Sequence, residues 1–238
     1  MRIEVVSTVD EIRQEQIRNR VVIVIDVLRA ASSIVTALVS GAREVIPVET
    51  TGQALALRTH DTILVGERYC RKIPEFDYNN SPTALLTANL QGKQLVLTTT
   101  NGTQAIQKAE KAHALLIGCF LNAKACITHA LSHQLDITLY CAGSRGVFAL
   151  EDGLAAGLMI HYAKQLAPQF TVCDMGEMLL AGYLYLADRL VDVLPHTATG
   201  KRLVKHQFDA DIRYCARQDC VQLVPQVKEK RILPLLVS

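Results

Sequence analysis

The sequence predicts an α/β fold, with three layers, α/β/α, around a largely parallel or mixed central sheet. Continuous β-branched runs such as VVIVI at 21–25 alternate with longer amphipathic or alanine-rich segments, the pattern of parallel strands covered on both faces by helices. The few glycines lie at strand-to-helix junctions, where turns are wanted, and no Gly/Ser-rich linker or low-complexity segment divides the chain. At 238 residues the chain is long enough to bury a sizeable core, and residues 1–238 are read as a single domain.

In chain order, short aliphatic runs predict strands at 21–25, 44–49, 62–66, 94–98, 114–118 and 136–141. Between and after them the spacing predicts helices over 30–40, 51–59, 82–90, 102–111, 122–132, 151–166 and 175–188. Ser81 followed by Pro82 supplies an N-cap with proline at the first helical position, and Thr50 or Thr51 can cap the helix at 51–59. Beyond 190 the chain becomes more basic and carries Pro195, Gly200, Pro225 and Pro234. This segment, 190–238, is too short to bury much surface alone and is expected to wrap the domain. Residues 21–42 and 136–157 share a strand, polar loop and helix order, a faint internal echo.

Composition narrows the function classes. Half of the residues are hydrophobic and a fifth are charged, the formal net charge is +2, and no block of like charges occurs, so a nucleic-acid partner is not expected. No apolar run approaches the roughly 20 residues of a membrane span. The opening MRIEVVSTVDEIRQEQ lacks the basic-then-apolar order of a signal peptide, and the protein is expected in the cytoplasm. Seven cysteines, at 70, 119, 126, 141, 173, 215 and 220, include no CxxC pair, so neither a disulfide framework nor a zinc knuckle is indicated. His129 and His133 are spaced i, i+4 but lack a matching third ligand nearby. The apolar composition without Trp is compatible with a homodimer.

In an open α/β sheet, ligands gather outside the carboxyl ends of the strands, where loops enter helix N-termini. Four polar clusters fall at such positions. In the first, Asp26 ends a strand and Arg29, Ser32 and Ser33 open the next helix; simple capping and surface pairing compete with a functional role. In the second, residues 66–82 crowd Glu67, Arg68, Arg71, Lys72, Glu75, Asp77, Asn79 and Asn80 into a long loop, which is either a solvated surface or a binding loop. The third, LVLTTTNGTQAI at 95–106, places Thr99, Thr100, Asn101, Gly102 and Thr103 where hydroxyls and backbone N–H groups can cradle an anion; a plain Asn-Gly turn is the competing reading. The fourth runs through Ser144, Arg145 and Gly146 to Glu151 and Asp152, acids that stabilise a helix dipole and also suit a divalent metal beside an oxyanion.

Several common machineries are missing. The chain has no GxxxxGK[ST] loop, no GxGxxG after a strand and no GxSxG elbow, which argues against P-loop hydrolysis, Rossmann dinucleotide binding and the common serine hydrolase. A phosphate-transferring aspartate of the haloacid dehalogenase type would want a second Asp two positions after Asp26, where Leu28 stands.

With these residues assembled, the sequence resembles the 2-phosphosulfolactate phosphatase family, the ComB-like proteins. The matching blocks are IDVLRAASSIVTAL, GERYCRKIPEFDYNNSP, TTTNGT, CAGSRGVFALEDGLAAG and DIRYCARQDCVQLVP, in order and spanning 25 to about 225. The chain departs from the family pattern at Cys70, Glu75 and Asn79, where glycines are common, and in its compact tail. The resemblance implies a Mg²⁺-dependent phosphatase that converts 2-phosphosulfolactate to sulfolactate, a step of coenzyme M synthesis, on a three-layer α/β fold.

Phosphoryl transfer is mainly positioning and charge neutralisation, so the residues can be given roles on this reading. Asp26, Glu67, Asp77, Glu151 and Asp152 are expected around Mg²⁺, with Asp26 and Asp152 catalytic. Arg29, Ser32, Ser33, Thr99, Thr100, Asn101, Gly102, Thr103, Ser144, Arg145 and Gly146 are expected on the phosphate. Arg68, with Arg71 and Lys72, is the candidate for the sulfonate. A phosphatase for another small phosphorylated hydroxy acid, or a non-catalytic anion-binding protein, are the alternative readings.

Overall fold

The structure is a computed structural model that describes residues 1–236. In chain order the elements are β1 (Arg2–Val6), β2 (Val21–Ile25), α1 (Ala30–Val39), β3 (Glu44–Pro47), α2 (Thr51–Ala56), β4 (Thr62–Arg68), β5 (Arg71–Lys72), α3 (Pro82–Leu86) and β6 (Gln94–Thr98). There follow α4 (Gly102–Lys108), β7 (Ala114–Gly118), α5 (Ala123–Ser132), β8 (Ile137–Cys141), α6 (Leu150–Leu166), β9 (Thr171–Val172) and α7 (Asp174–Leu186). The last part holds α8 (Leu190–Val193), α9 (Ala198–Lys205), α10 (Asp209–Cys215), β10 (Leu223–Lys228) and β11 (Arg231–Leu236). All six expected strands are present, within a mixed sheet ordered β5-β4-β6-β3-β11-β10-β7-β2-β8-β1-β9.

Aliphatic runs become central strands because both of their faces are covered. All five residues of β2, VVIVI, are buried, and β2 lies parallel between β7 and β8. The capping signals act as expected: Ser81 Oγ accepts the Ala84 N–H, and Thr50 with Gln53 forms a capping box. Three helices, α2, α3 and α4, stop three or four residues short of their expected ends, and hydroxyls take up carbonyls after two of them. Thr87 Oγ1 donates to the Ala84 carbonyl after α3, and Thr62 Oγ1 donates to the Leu57 carbonyl after α2.

Two regions depart from the sequence reading. β1 mixes Arg2 and Glu4 with the buried Ile3, Val5 and Val6, a weaker signal than a continuous apolar run, yet it pairs in parallel with β8 and β9. The segment after 190 does more than wrap. Its hairpin β10–β11 enters the sheet between β7 and β3, antiparallel to both, with Glu229 and Lys230 at positive φ in the turn. Pro225 and Pro234 face each other in that hairpin, and prolines disguise a central strand because they donate nothing to a ladder.

The hairpin divides two parallel half-sheets, β4-β6-β3 and β7-β2-β8-β1. Three successive antiparallel pairings reverse the strand sense between them. Five strand-to-strand steps also separate β2 from β6, and at roughly 20–25° of twist per step the halves turn through on the order of 100°. The carboxyl ends of β2 and β8 therefore face those of β4 and β6 across one cavity. Among the described residues no helix is long and apolar enough to cross a membrane.

Candidate active site

The cavity has a volume of about 340 Å³ and is lined by loops from both half-sheets and by α9. Asp26, Leu28 and Arg29 follow β2, Glu67 ends β4, and Thr99 to Asn101 follow β6. Gly143 to Arg145 follow β8, while Thr199, Arg202 and Leu203 come from α9.

Asp26 is 8% exposed. Its Oδ1 accepts the Ala30 N–H at 3.0 Å, so the residue does cap α1, but Oδ2 receives no hydrogen bond among the described residues. Its pKa is raised from 3.8 to about 7, by burial first and then by the charges of Glu151 and Glu67, against the Ala30 N–H bond and the charge of Arg29. Gly102 is required beside it, because a Cβ there would stand 2.8 Å from Asp26 Oδ2 and 2.6 Å from the Ala30 Cβ.

Asp152 and Glu151 lie in the first turn of α6, both 2% exposed. Asp152 Oδ1 accepts the Val27 N–H at 2.8 Å and Oδ2 the Gly143 N–H at 3.0 Å, which ties the loops after β2 and β8 together. Burial, then the charges of Asp26 and Glu151, hold its carboxyl well above the usual range. Glu151 Oε2 is buried without any partner among the described residues. Glu67 reaches in from the other half-sheet, accepting from Thr100 Oγ1 at 3.1 Å and the Cys70 N–H at 2.8 Å.

The cations are distributed unequally. Arg29, 4% exposed, meets the fully buried Asp211 of α10 at 2.5 Å, donates to Asn79 Oδ1 at 3.2 Å and lies 4.2 Å from the centre of the Phe208 ring. Asp211 also accepts from Ser81 Oγ at 2.8 Å and from the N–H and hydroxyl of Thr83. Arg145 and Arg202 line the cavity with no carboxylate partner among the described residues; Arg202 donates to Ser144 Oγ and to Thr199 Oγ1.

Asp26, Arg29, Glu67, Thr99, Thr100, Asn101, Ser144 and Arg145 thus share the cavity wall. Asp152 and Glu151 stand behind Asp26, close enough for their charges to act on one another. Gly102 packs on Asp26, and Thr103 turns its hydroxyl to the Thr99 carbonyl. Ser32 donates to the Val27 carbonyl and Ser33 is buried within α1, and neither lines the cavity. Gly146 is exposed at the loop tip at φ +74.

Asp77 lies apart, accepting the Leu64 N–H and pairing with Arg58 at 3.6 Å. Arg68 donates to the Glu67 and Glu49 carbonyls and to Thr98 Oγ1, Lys72 donates to the Phe76 carbonyl, and Arg71 is exposed. None of these four lines the cavity. Sequence reasoning assigned no role to Arg202, Thr199 or Asp211. The DIRYCARQDC block signalled the region of Asp211, but nothing marked Arg202 beyond a basic segment.

Asp26, Glu151 and Asp152 make no ion pair among the described residues, and three buried acids together are costly unless something neutralises them. Asp26 Oδ2 and Glu151 Oε2 are both unoccupied acceptors, a donor set that fits a hard divalent ion taking one or two protein carboxylates and completing its shell with water and phosphate oxygens. Among the described residues no group of three or more His, Cys, Asp and Glu side chains is arranged to enclose a metal by itself. That includes His129 and His133, whose Nε2 atoms lie 3.4 Å apart.

The family model described as 2-phosphosulpholactate phosphatase matches residues 6–230. A protein of Clostridium tetani named "Probable 2-phosphosulfolactate phosphatase" is 35% identical over 232 residues, 96% of this chain and 98% of its own. A protein of the same name from Clostridium acetobutylicum is 34% identical over 237 residues, 98% of this chain and all of its own. One from Thermotoga maritima is 38% identical over 209 residues, 87% and 88% of the two chains.

Proposed function

The chain belongs to the 2-phosphosulpholactate phosphatase family, and from that premise we propose that it hydrolyses 2-phosphosulfolactate to sulfolactate and inorganic phosphate, with Mg²⁺, as a step of the coenzyme M pathway. The observation that carries the reading is the buried trio Asp26, Glu151 and Asp152, which makes no ion pair among the described residues and stands at a cavity lined by polar loop residues.

On this reading Asp26 and Glu151 hold the ion through their unoccupied oxygens. When bound, Mg²⁺ supplies neutralisation of the phosphoryl oxygens and a polarised water. Asp152 keeps both oxygens on backbone amides and so fixes the loops that carry Asp26 and Ser144. Thr99, Thr100 and Asn101 orient the phosphate from the β6 side. Glu67, held by Thr100 and the Cys70 amide, faces the same space and accepts the proton of the attacking water. The water oxygen bonds to phosphorus, the bond from phosphorus to the ester oxygen on C2 breaks, and the leaving alkoxide takes a proton from solvent.

Phosphate release across a panel of small phosphoesters, with and without Mg²⁺, tests the reading. Fastest turnover of 2-phosphosulfolactate, abolished by chelation, is expected. Inactivity on every ester, or faster turnover of an ester without a sulfonate, overturns it.

A further inference from the structure

The charges of the cavity are segregated. Its acids, Asp26 and Glu67, come from the loop after β2 and the end of β4, whereas its arginines without a carboxylate partner, Arg145 and Arg202, lie at the loop after β8 and on α9. Arg29 is neutralised by Asp211, and the basic residues of the 66–82 loop are engaged by backbone carbonyls or lie outside the cavity. Arg202 is held from two sides, by Ser144 Oγ and by Thr199 Oγ1 at 3.2 Å. Both contacts use Nη2, so Nη1 and Nε have no partner among the described residues. Arg145 follows Ser144 directly, and Arg145 and Arg202 line the same cavity, with Cys70 also in its wall.

A transferred phosphate finds its neutralisation at the acid side through a bound cation. The arginine side is then surplus for a phosphate alone and suits a second oxyanion, for which a preorganised guanidinium is well shaped. We propose that Arg202, with Arg145 next to Ser144, forms the subsite for an anionic group of the substrate that is not transferred, so that α9 of the C-terminal segment sets specificity.

The inference rests on the phosphatase reading, and the test separates the two. Three esters are compared in wild type, Arg202→Met and Arg202→Lys: 2-phosphosulfolactate, 2-phospholactate and isopropyl phosphate. They lose first the sulfonate and then the carboxylate. In Arg202→Met the preference across one of these two steps should fall on the order of 100-fold, mostly through KM, the size expected for one charged hydrogen-bonded contact. Arg202→Lys should recover part of it. A collapse at the first step assigns the sulfonate and a collapse at the second the carboxylate. Equal losses on all three esters, or no loss, overturn the proposal. Calorimetric binding of sulfolactate needs no turnover: weakening on the order of 100-fold in Arg202→Met upholds the subsite even if wild type hydrolyses none of the esters, and unchanged binding overturns it.

Discussion

The half-sheet β7-β2-β8 and the half-sheet β4-β6 both send strand ends to the cavity, but they build its walls differently. On the β2 and β8 side the groups are buried and tied to backbone: Asp26 to Ala30, Asp152 to Val27 and Gly143. On the β4 and β6 side the acid is half-buried: Glu67 is held by the exposed Thr100 hydroxyl and by the Cys70 amide of its own loop. Burial fixes charge where chemistry needs it at high energetic cost, whereas side-chain contacts leave a recognition surface adjustable. The C-terminal segment spans both, since Asp211 locks a buried arginine and Arg202 lines the cavity.

This contrast can be broken by substitution. Asp26→Asn keeps the shape and removes the charge, so kcat should fall by at least about 1,000-fold, the scale of losing a group that acts on the transition state. Retention of most activity in a phosphate-release assay would place the chemistry elsewhere. Glu67→Gln, on the other side, should cost less, on the order of 10²-fold in kcat, as for one general base.

Asp211→Ala leaves Arg29 buried and unpaired, and should destabilise the fold by about 3–5 kcal/mol in denaturant unfolding. A change within 1 kcal/mol would mean that the pair is not the lock described. Gly102→Ala should cost about 1–3 kcal/mol by overpacking against Ala30, and should lower activity as well by displacing Asp26.

The smallest effect is a pH dependence. The folded pKa of Asp26, about 7, lies above its ordinary 3.8, so the folded state holds the proton more tightly. Its contribution to stability therefore falls as pH rises from about 4 to 7 and is lowest above 7. A cation bound to the ionised acid removes that loss. Added Mg²⁺ should raise Tm by a few °C more at pH 8 than at pH 5.5, and Asp26→Asn should abolish the difference. An equal shift at both pH values contradicts the assignment.

What could be read from the chain follows the same division. VVIVI declared a buried central strand, and Ser81-Pro82 declared a helix start, because each signal is local. Asp26, Thr99, Thr100, Asn101 and Arg145 were found because strand ends are where α/β sheets bind ligands. The hairpin β10–β11 was hidden by Pro225 and Pro234, and β1 by the charged Arg2 and Glu4 that interrupt its short apolar run. Asp211 meets Arg29 across 182 residues of sequence, a partnership that no spacing encodes. Asp77 was grouped with the acids by proximity in the chain, whereas its loop turns it onto the Leu64 amide.

Whether the buried acids after β2 and β8 hold a divalent cation against the substrate phosphate is decided by anomalous diffraction from crystals soaked in Mn²⁺ and a phosphate mimic. One strong peak at Asp26 and Glu151 is expected, with the mimic reaching toward Thr100 and Asn101. A peak on other residues, or none in crystals that bind the mimic, contradicts it.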